Sequence, residues 1–226
     1  MNNPVISVKN LTVSYDKNVV IKSASFEIFR KDFLCVVGAN GSGKSTLIRA
    51  LLGLIQPVSG KIKYGEDIKH NSIGFLPQET KIEQNFPATV FEIVLSGTLG
   101  RFKHRFFYSE EAKKAATDAL RQLGILKIKE RSFSNLSGGQ KQKVLLARAL
   151  VATSEILILD EPSNSLDYKS RKDFYEMLKK LNDSGLTIIM ITHDLDADDL
   201  IGNKVLSIKE CEVSCESTDK FLRRYK

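Results

Sequence analysis

The chain is poor in several features that would each direct its fate. No apolar run in its 226 residues approaches the roughly 18 that suggest a membrane-spanning helix. This excludes a protein that crosses the bilayer by its own helices. The opening stretch, MNNPVISVKN, lacks the basic and apolar regions of a secretory signal, which predicts a cytoplasmic location. Cysteine is scarce and odd in number: Cys35, Cys211 and Cys215 form no disulfide framework and fit a reducing compartment. No basic tail and no basic stretch interleaved with aromatics accompanies the net charge of +7, so nucleic acid is not the expected partner. The surplus reads as a solvated basic surface, with anionic headgroups or an acidic partner as alternatives. There is no internal repeat, long linker or low-complexity segment. What is present, 42% hydrophobic residues, suffices for one large core.

VISVKNLTVSY and VVIKSASFEIF alternate apolar and polar residues, which predicts half-buried antiparallel strands. FLCVV, Phe33 to Val37, is apolar throughout and bounded by Asp32 and Gly38. That is the pattern of a strand buried on both faces of a parallel sheet, with Cys35 in the core. SIGFL, EILILD and TIIMIT follow the same logic. Helical patterns alternate with them. Leu47, Ile48, Leu51, Leu52 and Ile55 form one stripe, which Pro57 is expected to end. Ser109 to Leu123 opens on Ser-Glu-Glu and closes before Gly124. Ser170 to Leu181 reads as a further helix. The alternation predicts an α/β fold. Between 89 and 151 the pattern is helical without a buried strand. The expected organisation is a single domain over 1–226. Its core comprises 1–88 and 152–226 with an N-terminal antiparallel β subdomain, and an α-helical subdomain of 89–151 is inserted into it, with joints near 78–84 and 152–155.

GANGSGKS, Gly38 to Ser45, matches the phosphate-loop pattern at every required position, after a buried strand and before an amphipathic helix. Glycines 38, 41 and 43 permit positive φ and close backbone approach. The loop amides and helix N-terminus then surround phosphate oxygens. Lys44 is expected to reach the β- and γ-phosphates and Ser45 to ligate Mg2+. EILILDE ends a buried strand on two carboxylates. Asp160 is expected to hold Mg2+ through water, and Glu161 to orient or deprotonate the attacking water. A second stretch, NLSGGQKQ, Asn135 to Gln142, also looks built to touch an anion, with a hydroxyl and two glycines at a helix start.

Taken in order, the motifs resemble those of the nucleotide-binding subunits of ABC transporters: an early aromatic (Tyr15), GANGSGKST, LPQET with Gln78, LSGGQ, LILDE, SLD ending at Asp167, and ITHD with His193. The resemblance covers nearly the whole chain. It implies the ABC ATPase fold, a P-loop NTPase core with a mostly parallel sheet, and ATP and Mg2+ as cofactors. It also implies a head-to-tail homodimer formed on nucleotide binding. In such a dimer the signature of one subunit, Leu136, Ser137, Gly138, Gly139 and Gln140, caps the ATP held by the other's Gly38, Ala39, Asn40, Gly41, Ser42, Gly43, Lys44, Ser45 and Thr46. Asp167 lines that interface. A hydroxyl and backbone amides at a helix N-terminus suit the role, because the dipole there favours an anion. By position, Tyr15 stacks on adenine, Gln78 senses Mg2+ and the attacking water, and His193 contacts the γ-phosphate. Ala39 stands where many relatives have proline, and Lys141 and Lys143 where arginine is frequent, with no expected effect on chemistry. Glu210-Cys211 stands where relatives often place a glycine turn, which predicts an irregular hairpin. Cys211 and Cys215 alone make a weak metal site and read as turn or edge-strand residues.

The missing spans imply a separate integral-membrane permease, with a substrate-binding protein reached only through it. Separate subunits are typical of the family's prokaryotic importers, so the resemblance implies a peripheral place on the cytoplasmic face of a prokaryotic membrane. LPQETKIEQNFPATVFEIVLSG looks like the subunits of zinc, manganese or iron(II) importers. Other importers and exporters are the alternative. A soluble ABC-type ATPase of DNA repair or the ribosome is disfavoured, because the interval from Ser45 to Leu136 leaves no space for a coiled-coil insertion and only one ATPase domain is present. A non-hydrolysing module is disfavoured by the presence of Glu161 and His193. RFKHRFFY, ending at Tyr108, is either a loop with buried aromatics and solvated cations or a docking rim for the permease. His70 and His104 match no motif and read as surface residues.

Overall fold

A computed structural model describes residues 3–16, 18–66, 68, 73–78, 87–100, 107–153, 155–164, 166–193 and 200–225. In chain order its strands are β1 (Ile6–Tyr15), β2 (Asn18–Ile28), β3 (Phe33–Gly38), β4 (Ser59–Tyr64), β5 (Ile73–Leu76), β6 (Ile156–Asp160), β7 (Thr187–Ile191), β8 (Lys204–Lys209) and β9 (Glu212–Ser217). The α-helices are α1 (Lys44–Leu51), α2 (Val90–Ser96), α3 (Glu110–Gln122), α4 (Gly138–Val151), α5 (Tyr168–Asp183) and α6 (Thr218–Tyr225).

The alternating N-terminal segments form an antiparallel sheet of order β2-β1-β4. Ile6, Val8, Leu11 and Val13 of β1 point into the core, while Lys9 and Asn10 are exposed. The second sheet has the order β5-β6-β7-β3-β8-β9, parallel except for the hairpin of β8 with β9. Its central strands separate two cores. Phe33, Cys35 and Val37 of β3 pack with α2–α5, whereas Leu34 and Val36 pack with α1 and the antiparallel sheet. Strands β6 and β7 divide in the same way, Leu157 and Leu159 against Ile156 and Ile158, Ile188 and Met190 against Ile189 and Ile191. Burial on both faces explains why these runs carry no polar alternation. It also pushes the Cys35 thiol up to about 12, so that side chain is protonated packing material.

Helices α2 to α5 begin on side-chain caps. Thr89 and Glu92 form a reciprocal box at α2, Ser109 accepts from the Ala112 amide at α3, and Ser137 and Gln140 form a second box at α4. Helix α5 starts at Tyr168, ahead of the expected Ser170, because Asp167 caps it, accepting from the Ser170 amide at 2.9 Å. Helix α1 stops at Leu51, well before Pro57. Gly53 at φ 70 turns the chain out of the helix, and the amides of Gly53 and Leu54 return to the carbonyls of Ala50 and Arg49. The C-terminal part of α4 lies hard against its neighbours. A Cβ on Gly74 of β5 would stand 2.3 Å from the Ala149 carbonyl oxygen, and one on Gly97 after α2 would stand 2.1 Å from that of Arg148.

The β8–β9 hairpin corrects one expectation, for its pairing runs unbroken from Lys204↔Ser217 to Lys209↔Glu212. Glu210 and Cys211 both take positive φ, 50° and 67°, the geometry of a tight two-residue turn. The turn is docked on β2, where the Cys211 carbonyl accepts from the Lys22 amide at 2.8 Å and the Cys211 thiol donates to the Val19 carbonyl at 3.1 Å. Those ties hold a turn that lacks the favoured glycine.

Candidate active site

The C-terminal ends of β3, β6 and β7 meet the N-terminus of α1, and the site is built there. Gly43 caps α1 at φ 104, and a Cβ there would lie 2.7 Å from Val20 Cγ1. Only glycine satisfies both the dihedral and the space. Lys44 is 5% exposed, and its Nζ donates to the Gly38 and Ala39 carbonyls, each at 3.0 Å. Desolvation lowers its pKa, opposed by the charges of Glu161 and Asp160. The buried Ser42 hydroxyl has no hydrogen-bond partner among the described residues.

Opposite the loop, β6 ends on buried Asp160. Burial raises its pKa, and the Ser45 hydrogen bond lowers it. The neighbouring Glu161 charge raises it further, while Arg49 and Lys44 lower it. Asp160 Oδ1 is buried without a hydrogen-bond partner among the described residues. A hydroxyl beside a carboxylate with an idle oxygen is a hard-oxygen set, and it fits Mg2+.

Glu161 is the hub of the site. Its Oε2 accepts from Gln78 Nε2 at 2.6 Å and also from Asn164 Nδ2, and its Oε1 is hydrogen-bonded to His193 Nε2. The side chain is 9% exposed and its backbone has φ 49. The residue is thus held in the left-handed region by its surroundings.

A cleft of about 630 Å³ opens over these groups, a size suited to a nucleotide. Asn40, Gly41, Gly43, Lys44, Ser45 and Thr46 line one side, with Gln78, Glu161, Asn164 and His193 on the other. Tyr15 stands on the rim, 43% exposed, beside Val20. Asn164 had no motif to mark it; its signal is only its place three residues beyond Glu161, across a turn. The signature lies apart: none of Leu136, Ser137, Gly138, Gly139, Gln140 and Asp167 lines the cleft. Leu136 is buried in the helical core, while Ser137 and Gly138 are exposed. Arg101 to Phe106 of the aromatic-basic cluster, His70 and His104 lie outside the described residues. Phe107 is 89% exposed, and Tyr108 packs against the helical core.

A phosphate loop at the end of the central parallel strand β3, facing an Asp-Glu pair at the end of β6 with β7 between them, defines a P-loop ATPase. The chain belongs to the ABC transporter family, whose sequence model, described as "ABC transporter", matches residues 21–164. Within that family it is an ATP-binding, ATP-hydrolysing transporter subunit. It is 39% identical over 216 residues to the zinc uptake system ATP-binding protein ZurA of Listeria innocua, covering 92% of this chain and 84% of that protein. The fold is similar to that of a metal-chelate type ABC transporter solved in an inward-facing conformation, with TM-score 0.88 and 32% identity over 97% of this chain and 86% of that one. It is also similar to a bacterial ABC transporter cassette solved as a dimer, with TM-score 0.77 and 27% identity over 94% of this chain and 98% of that one. Cassettes of this family dimerise and work with membrane permeases. No helix among the described residues is long and apolar enough to cross a membrane.

Proposed function

We propose that this subunit drives the import of a divalent metal ion, zinc, manganese or iron, through a separate permease, docked on the cytoplasmic face of the membrane. The metal is cargo, handed to the permease by a binding protein this chain never touches. Its likeness to a zinc uptake protein and to a metal-chelate type transporter supports that cargo class. The β-rich parts, 1–88 and 152–226, act as the nucleotide-binding core, and the helical part, 89–151, as a subdomain that moves against it.

The chemistry rests on one observation, the convergence of Gln78, Asn164 and His193 on the Glu161 carboxylate at the mouth of the phosphate loop. Glu161 acts as the base that takes a proton from the attacking water. Gln78 and Asn164 orient the carboxylate through Oε2. With the proton on Nε2, His193 donates to Oε1 and turns to the γ-phosphate once nucleotide enters. Lys44 exchanges its two loop carbonyls for phosphate oxygens, and the loop amides from Gly38 to Thr46 surround them. Tyr15 stacks on adenine from the rim. Ser45 and Asp160, joined by Gln78, would hold Mg2+, whose charge offsets that of the phosphates. The signature, Leu136 to Gln140, with Asp167 beside it, completes the partner subunit's site in a homodimer.

Glu161→Gln is expected to lower ATP turnover by about 100-fold or more while ATP binding persists, giving a trapped dimer. Phosphate release and equilibrium nucleotide binding measure the two effects. Turnover near wild type would remove Glu161 from the role of base. Reconstitution with the permease, scored by uptake of zinc, manganese and iron, tests the cargo, and transport of none of them overturns it.

A further inference from the structure

Helix α4 starts at the signature, and in its second turn the Gln142 side chain leaves the helix for another element. Its Nε2 donates to the Pro162 carbonyl at 2.7 Å. Pro162 follows Glu161, is buried and has no N–H, so this carbonyl is its whole backbone hydrogen-bonding capacity. Residues 161–164 form a tight turn with proline at its second position. The Asn164 amide N–H points to the Glu161 carbonyl at 3.5 Å, and the Asn164 side chain returns to Glu161 Oε2. Glu161 itself holds φ 49, a conformation that persists only where neighbours over-determine it. Besides the side chains that converge on its carboxylate, three contacts tie the turn to other elements: the Glu161 amide donates to the Ile191 carbonyl at 3.2 Å, Ser163 and Tyr175 share a hydroxyl contact at 2.9 Å, and Gln142 holds Pro162. Of the three, only Gln142 belongs to the helix that carries the signature.

We propose that Gln142 is a positioning residue that makes the carboxylate of Glu161 answer to the signature of its own chain. This rests on the composite-site reading above. In a head-to-tail dimer Ser137 meets the partner's nucleotide while Glu161 serves the nucleotide of its own loop. A displacement of α4 on capture in one site is carried by the Gln142–Pro162 hydrogen bond to the turn that aims Glu161 in the other. The two sites are thereby coupled through a single side-chain donor.

The test uses the purified full-length subunit with ATP titrated, reading kcat, KM and the Hill coefficient. Gln142→Met keeps length and neutrality but removes the donor, while Gln142→Lys restores a donor. The Met variant is expected to lose about tenfold in kcat at unchanged KM, with its Hill coefficient falling toward unity. The Lys variant is expected to regain most of both. Wild-type kcat and Hill coefficient in the Met variant overturn the proposal, as does a Lys variant as impaired as the Met variant. Failure of the underlying reading is separately visible. It would appear as full turnover in Glu161→Gln, or as a Hill coefficient of unity in the unaltered protein.

Discussion

The phosphate loop and the signature are both helix starts, each proposed above to meet phosphate, and they are finished in opposite ways. Helix α1 begins on Gly43, with no side-chain cap and no acidic residue in its first turn. Around it Lys44 is buried on two carbonyls, and Ser42 Oγ and Asp160 Oδ1 have no hydrogen-bond partner. Helix α4 begins on Ser137, whose hydroxyl accepts from the Gln140 amide at 3.4 Å while Gln140 Oε1 accepts from the Ser137 amide at 3.1 Å. The first start is incomplete among the described residues, and buried polar atoms left idle cost stability that a ligand can restore. The second is complete, exposed and outside the cleft. A group that receives its ligand from within the same fold can be left unsatisfied. A group that waits for another molecule has to remain stable in water meanwhile.

The contrast can be broken most severely at Lys44. Lys44→Ala removes the one lysine among the described residues that line the cleft and is expected to weaken ATP binding by about 10- to 100-fold. Titration with a fluorescent nucleotide measures this, and an unchanged affinity would show that the loop does not depend on its lysine. Next comes Ser137→Arg. Its effect on ATP affinity of the isolated subunit should stay within about twofold, while ATP-dependent dimerisation weakens by about tenfold or more, since a bulky cation at a tight contact removes both cap and fit. Sedimentation in the Glu161→Gln background separates the two quantities, and full dimerisation would place the signature outside the interface. The smallest effect sharpens the comparison. Ser137→Ala should cost about 1 kcal/mol of folding stability through the lost cap. Urea denaturation reads it, and a cost of zero would mean that the box does not stabilise α4.

Much of this arrangement is legible in the sequence where physics keeps its parts adjacent. The loop from Gly38 to Ser45 works as one backbone segment, and β3, β6 and β7 show unbroken apolar runs because both of their faces are covered. Contacts made by packing leave no such trace. Asn164 reaches Glu161 through a turn, and Gln142 reaches Pro162 across 20 positions. Neither spacing has a local signature. Pro57 is a conspicuous stop signal, yet α1 ends earlier because Gly53 provides a complete hydrogen-bonded termination. Asp167 is marked by its motif as an interface residue, but its carboxylate also caps α5, which holds its pKa down. The Glu210-Cys211 turn looks unfavourable in isolation, and its docking on β2 is a tertiary contact.

The close approach of Gly74 and Gly97 to α4 has a mechanical consequence. Gly97 lies against the Arg148 carbonyl and Gly74 against that of Ala149, near the end of the helix remote from Ser137. Its 14 residues make a rod about 21 Å long. Pinned at that end, the rod is a lever with its fulcrum against β5. A swing of about 10° at the fulcrum carries Ser137 through roughly 3 Å and Gln142 through roughly 1.7 Å on a rise of about 1.5 Å per residue. The arm is long enough to turn a small rotation of the helical part into the making or breaking of a hydrogen bond at its tip.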